Sequence, residues 1–87
     1  MMRYCCFAVR DTCSENFHLP MFFVNRASAV RALSDVVNKP SPDNAYYNHP
    51  EHYQLYEIGS FEDEFGTFTP MTPTFVVDCQ SLVQSAT

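Results

Sequence analysis

One segment of the chain repeats its apolar residues with the period of an α-helix, and the residues at both ends can terminate a helix. Asn25 is a good N-cap, whereas Pro40 restricts Lys39 and cannot continue a helix. The apolar positions between them, spaced three and four apart, are Ala29, Val30, Leu33, Val36 and Val37. The sequence therefore predicts one helix over residues 26–38, packed through Val30, Leu33 and Val37.

The other apolar segments are short, aromatic and β-branched, as strands are. The strand candidates are residues 3–10, 21–24, 53–61 and 74–78. Residues 3–10 are apolar on both faces, because Phe7 alternates with Cys6 and Ala8, and this predicts a central strand. Residues 62–66 have the pattern of a hairpin turn in which Gly66 adopts a positive φ, and residues 67–69 begin the return strand.

The remaining segments are predicted to be loops. These are the polar residues 11–20 and the proline-rich residues 39–50, and Pro70 and Pro73 should interrupt the last part of the sheet. The order of elements predicts an α+β fold, with one helix packed on a small antiparallel sheet. The length of 87 residues is enough for a single domain, 1–87, with an ordered core of about 3–78 and a frayed tail from Ser81.

The charge of the chain is acidic and unevenly distributed. The formal net charge is -5, which argues against a protein that coats nucleic acid by charge alone. All of the basic residues precede residue 41 and are the candidates for nucleic-acid binding: Arg3, Arg10, Arg26, Arg31 and Lys39. They can equally be a solvated surface, although Arg26 lies at a helix N-terminus, where backbone amides favour an anion.

The cysteines are expected to be free thiols. They are Cys5, Cys6, Cys13 and Cys79, and two disulfides are the alternative. The first residues lack the layout of a signal peptide and no apolar run has the length of a membrane span, so we expect a reducing cytoplasm and no membrane contact.

Motifs for catalysis, cofactors and metals are missing from the sequence. With only Gly59 and Gly66, the chain cannot form a glycine-rich phosphate loop. Cys13 with His18, and His49 with His52, are potential metal ligands, yet the paired spacing of a zinc finger is absent. We therefore predict no enzyme, no cofactor and no metal site.

The number of aromatic residues exceeds what one small core readily absorbs. A single helix covers one face of a sheet, so the other face should be an exposed apolar patch, and such patches usually mark an interface. The interface candidates are Tyr53, Tyr56, Phe61 and Phe68. A second copy is a common way to cover such a face, and the sequence predicts a homodimer.

Several motifs, in order, resemble a known family. They are the stretch Pro20-Met21-Phe22-Phe23, the helix Ala29-Val30-Arg31-Ala32-Leu33-Ser34-Asp35-Val36-Val37-Asn38, and the strand and turn from His49-Pro50-Glu51-His52-Tyr53 to Glu62-Asp63. The chain resembles, over residues 3–78, the small non-structural protein of gokushovirus-type single-stranded DNA bacteriophages (Microviridae). Arg31, Asp35 and Asn38 match the helix motif and Glu51 matches the strand motif, while His52 stands where the family usually has Asp.

The resemblance implies a protein of the host bacterial cytoplasm that is not part of the mature virion. It implies a role in viral single-stranded DNA synthesis or genome packaging, for which the family is often labelled DNA-binding. One hypothesis is a module that binds viral single-stranded DNA through the basic residues and exposed aromatic rings. The other is an acidic adaptor that docks on the phage or host replication machinery or on the procapsid without binding DNA.

Overall fold

The computed structural model describes residues 2–84 and contains the predicted helix. Helix α1 spans Arg26–Val37. The Asn25 side chain accepts a hydrogen bond from the Ser28 backbone N–H at 2.8 Å, so Asn25 is the N-cap, as predicted. After Asn38 the chain leaves the helix, two residues before Pro40. The prediction of a helix over residues 26–38 is confirmed.

The face of α1 that packs on the sheet contains the three predicted residues, Val30, Leu33 and Val37, together with Ala29. Ala29, Leu33 and Val37 are buried and Val30 is half-buried. Val36, another apolar position of the helix, is 42% exposed. Val36 lies seven residues after Ala29 and therefore on the same side of the helix, at the border of the packed face beside Met21 and Phe23.

The sheet is antiparallel throughout and confirms the α+β fold. Its strands are β1 (Arg3–Asp11), β2 (Asn16–Phe17), β3 (Met21–Phe23), β4 (Tyr53–Glu62) and β5 (Thr67–Asp78). The order across the sheet is β2-β1-β4-β5, and β3 pairs with β1 on the same side as β2. Strand β1 is therefore central, as predicted. Among residues 2–84, no helix is long and apolar enough to cross a membrane.

The core lies between α1 and one face of the sheet. Phe7 and Val9 of β1 and Leu55 of β4 are fully buried there against α1. Cys6 and Ala8, which point to the other face of β1, are 1% exposed although no helix covers them. All four cysteines are free thiols, as expected.

Both predicted loops contain regular structure instead. Residues 11–20 include β2, and residues 39–50 include a short helix, α2 (Ala45–Asn48). Asn44 fixes this second segment, because its amide donates to the carbonyls of Val36 at 2.7 Å and Lys39 at 2.9 Å. A 3-10 helix, Pro50–His52, then leads into β4.

The two prolines of the last strand do not interrupt it. Strand β5 is continuous from Thr67 to Asp78 and contains both Pro70 and Pro73. It tolerates them because it is an edge strand and because its pairing with β4 shifts register twice along its length. Gly66, in the turn before β5, has a φ of 65°, as the hairpin prediction required.

The C-terminal segment packs back on the end of α1. Cys79–Leu82 form a 3-10 helix where the sequence predicted fraying from Ser81. The Asn38 amide donates to the Leu82 carbonyl at 2.9 Å, and the Gln84 N–H donates to Asn38 Oδ1 at 2.8 Å. Residues 85–87 of the expected tail lie outside the described residues.

Candidate functional site

The sheet face opposite α1 carries a group of aromatic side chains, which we call the aromatic face. Its members are Tyr4, Phe17, Phe22, Tyr56, Phe61, Phe68 and Phe75. Directly paired residues of antiparallel strands share a face, and the pairing Tyr4–Phe61–Phe68 places three rings in one row across β1, β4 and β5. The pair Tyr56–Phe75 continues the face further along β4 and β5.

The rings form two clusters. In one, Tyr56 meets Phe17 edge-on with ring centroids 5.5 Å apart, and Phe75 at 5.9 Å. In the other, Phe22 meets Phe61 edge-on at 5.9 Å, and these two rings with Tyr4 line an open depression of about 360 Å³. The edge-on arrangement is one of the favoured geometries for aromatic pairs.

Small residues lie between the two clusters. Cys6, Ala8 and Gly59 lie between them and are buried. A Cβ added at Gly59 would lie 2.6 Å from Phe68 Cζ and 2.7 Å from the Thr69 carbonyl oxygen, so the Phe68 ring rests directly on this glycine. Burial raises the pKa of the Cys6 thiol, which keeps it protonated and apolar beneath the rings.

A bulge in β4 completes the aromatic face. Strand alternation alone would place Phe61 on the same face as Leu55, because both numbers are odd. In the structure Phe7 pairs with Glu57 and Cys6 with Gly59, so Ile58 is an extra residue in β4. The extra residue reverses the alternation, and Phe61 joins Tyr56 on the aromatic face.

Three of the four interface candidates lie on the aromatic face. Tyr56, Phe61 and Phe68 belong to it, whereas Tyr53 lies on the helix side of β4. There Tyr53 packs edge-on against Tyr46 at 4.7 Å and lies 5.7 Å from the His18 ring. Tyr53 is therefore part of the packing around the core, because it is two residues from Leu55 and shares its strand face.

Four members of the aromatic face are exposed phenylalanines. Phe17 is 42% exposed, Phe22 49%, Phe68 44% and Phe75 49%. The predicted interface residues did not include Tyr4, Phe17, Phe22 or Phe75. The available signal was the apolar second face of β1, where Tyr4 precedes Cys6 and Ala8. Phe22 pairs with Cys6 and Phe17 with Arg10, pairings that short strands do not reveal in the sequence.

The five basic residues do not share one surface. Arg10 lies on the aromatic face, with its guanidinium carbon 6.0 Å from the centre of the Phe17 ring. Arg26 is paired with Glu57, Nη2 to Oε1 at 2.8 Å, and Arg3 donates to the Ser60 hydroxyl at 3.4 Å. The other two, Arg31 and Lys39, are exposed on α1 and just beyond it. Within residues 2–84, Arg10 is the one basic residue on the aromatic face.

Away from the aromatic face, the half-buried Tyr46 and the fully buried Cys79 have raised pKa values. Burial raises the pKa of Tyr46 to about 12, and the Tyr46 hydroxyl lies 2.6 Å from His18 Nδ1. Burial also raises the pKa of the Cys79 thiol to about 11. Both groups are therefore uncharged at neutral pH and serve packing, since a thiol in this state is a poor nucleophile.

Comparison with known proteins identifies a family. Residues 4–82 match the model of the family described as Phage ORF5 protein. Comparison with curated proteins and with solved structures gives no match. The matched residues include β1 from Tyr4 onward, β2 to β5, α1, α2 and the whole aromatic face. Because the match covers nearly the entire chain, this protein belongs to the Phage ORF5 protein family.

Proposed function

We propose that this phage accessory protein binds single-stranded DNA on its aromatic face and acts in viral DNA synthesis or genome packaging. The observation that carries the proposal is the exposure of Phe17, Phe22, Phe68 and Phe75 on one helix-free sheet face. The proposed location is the host bacterial cytoplasm, outside the mature virion, and the proposed role is not enzymatic.

Aromatic rings on an open sheet suit the recognition of unpaired bases. Each base has a π-face, so stacking on Phe or Tyr is tolerant of sequence and contributes about 1–3 kcal/mol per base. Antiparallel sheets that display aromatic residues on one face bind single-stranded RNA in this way. Here the two ring clusters lie on either side of Cys6 and Ala8, so successive bases can occupy them in turn.

The charge of the aromatic face predicts how the binding depends on salt. For single strands, the logarithm of the affinity falls with the logarithm of the salt concentration by about 0.7 per phosphate neutralised. Arg10 is the basic residue placed to contact a phosphate, and it is held over Phe17. We therefore expect a salt slope of about −0.7 and binding dominated by stacking.

Fluorescence anisotropy with a labelled single-stranded oligonucleotide, at low and moderate salt, tests the proposal. Phe22→Ala and Phe75→Ala should each weaken binding about tenfold, in line with the stacking contribution. Phe65→Ala is the matched control, because Phe65 is 73% exposed at the hairpin turn and outside both clusters. Arg10→Gln should flatten the salt slope, and Arg31→Gln should leave it unchanged.

Two results would refute the proposal. One is no binding at micromolar protein even at low salt. The other is an equal loss of affinity in Phe22→Ala and Phe65→Ala, because non-specific contacts with any exposed ring would then explain the binding.

A second candidate function is a protein adaptor that docks on the replication machinery or the procapsid. The net charge of -5 and the single arginine on the aromatic face favour it, since an apolar, weakly charged face suits a protein partner. Pull-down from infected cells, with Phe22→Ala as the control bait, tests this function. Recovery of the same proteins by both baits, or of no replication or capsid protein, would contradict it.

The homodimer predicted from the sequence uses the same surface. The aromatic face carries seven aromatic side chains and one basic residue, and a two-fold pairing of two such apolar faces would cover both copies. Single-stranded DNA and a second copy would then compete for this face. Added oligonucleotide should therefore dissociate the dimer.

A further inference from the structure

A cluster of three potential metal ligands lies where the 3-10 helix enters β4, apart from the aromatic face. Glu51 Oε2 is 4.0 Å from His49 Nδ1 and 3.6 Å from His52 Nε2. One ligand atom from each of the three residues lies within 4.8 Å of the other two. The two imidazole rings are nearly parallel, with an angle of 13° and centroids 5.4 Å apart, and both lie beside the same carboxylate.

Hydrogen bonds hold the backbone of this cluster. The His49 N–H donates to the Ala45 carbonyl at 2.8 Å, and the His52 N–H donates to the His49 carbonyl at 3.0 Å. Both the N–H and the hydroxyl of Thr12 donate to the His52 carbonyl, at 2.9 and 3.0 Å. The segment is therefore tied to α2 and to the end of β1, and a bound ion would not have to order a loose loop.

We propose that His49, Glu51 and His52 form a binding site for a divalent zinc ion. Two imidazole nitrogens and one carboxylate are a known zinc ligand set, and they leave a fourth tetrahedral position for water. Zinc bonds of 2.0–2.2 Å in a tetrahedron place neighbouring ligand atoms about 3.3–3.6 Å apart. The observed separations of 3.6 and 4.0 Å therefore need only a small contraction.

The side chains are free to make that contraction. The side chains of His49 and Glu51 are more than half exposed, and that of His52 is 40% exposed. A metal ion lies in the plane of each ring that binds it, so the stacked rings must rotate toward each other. Because His49 and Glu51 are the more exposed of the three, their side chains can rotate toward His52. The sequence was predicted to have no metal site because it lacks paired cysteines. This site needs no cysteine, because its ligands are two histidines and a glutamate.

Isothermal titration calorimetry of tag-free protein with zinc chloride tests the proposal. We expect one ion per chain, and binding about tenfold or more weaker in His49→Ala, His52→Ala and Glu51→Gln. Glu51→Gln keeps the shape of the side chain, so it reports on the ligand charge and not on folding. His18→Ala and Cys13→Ser are the controls, because they remove the third histidine and the exposed thiol. Both controls should bind as the original chain does.

Three outcomes would overturn the site. The first is that no binding is detected up to about 1 mM zinc, which is the weakest affinity considered. The second is that Glu51→Gln and His49→Ala bind zinc as the original chain does. The third is that Cys13→Ser loses binding. An NMR titration adds a direct readout, in which the imidazole signals of His49 and His52 shift with zinc while that of His18 stays constant. Shifts of all three histidines together would also reject the site.

Discussion

Replacing Leu33 with Ala tests how α1 is seated on the sheet. Leu33 is 5% exposed and belongs to the same buried cluster as Phe7 and Leu55. Truncation of a buried leucine costs about 2–5 kcal/mol, because apolar contacts are lost and a cavity remains. The unfolding free energy of a folded domain is about 5–15 kcal/mol, so this loss is a large part of its stability.

Val36→Ala is the matched control for this prediction. Val36 lies one helical turn from Leu33 but is 42% exposed, so its truncation should change the unfolding free energy by less than about 0.5 kcal/mol. Urea denaturation followed by circular dichroism measures both variants. At about 4–8 °C per kcal/mol, Leu33→Ala should lower the melting temperature by at least about 8 °C. An unchanged Leu33→Ala beside a destabilised Val36→Ala would refute the orientation of the helix.

Three further results are expected. Gly59→Ala should destabilise the fold, because the new Cβ meets both Phe68 and the Thr69 backbone, and an unchanged urea midpoint would contradict this contact. Sedimentation at about 10 μM, where modest interfaces are populated, should show a dimer of twice the 10.0 kDa chain; a single species of chain mass would reject the homodimer. The pKa of Tyr46 is raised to about 12 in the folded chain, above its usual value of about 10. The unfolding free energy should therefore fall as the pH rises from 10 toward 12, and Tyr46→Phe should show a smaller fall over that interval.

Local signals were sufficient to predict the helix and the central strand. Asn25, Pro40 and the apolar spacing around Leu33 define α1 without reference to the rest of the chain. The apolar character of both faces likewise identifies β1 as central. Pro70 and Pro73 misled the prediction of β5, because the cost of a proline depends on whether its strand is at an edge. Only the pairing of strands in the folded sheet shows that β5 is an edge strand.

The aromatic face was predicted only in part, because its membership also depends on how the strands pair. Tyr56 and Phe68 are on it as expected, but Tyr53 is not, and the place of Phe61 depends on the extra residue Ile58. A bulge shifts every later side chain to the other face, and the one local signal for it was Gly59, a glycine inside the strand that directly follows Ile58. Strands as short as β2 and β3 have no periodicity to detect.

The central claim, that the aromatic face binds single-stranded DNA, is tested most directly by an amide NMR titration with a short oligonucleotide. Binding on this face predicts shifts in β1, β3, β4 and β5 around Cys6, Gly59 and Phe68, with little change along α1. Saturation of these shifts should follow the affinity measured by anisotropy. Shifts concentrated around Arg26 and Arg31, or no shifts with excess oligonucleotide, would contradict the claim.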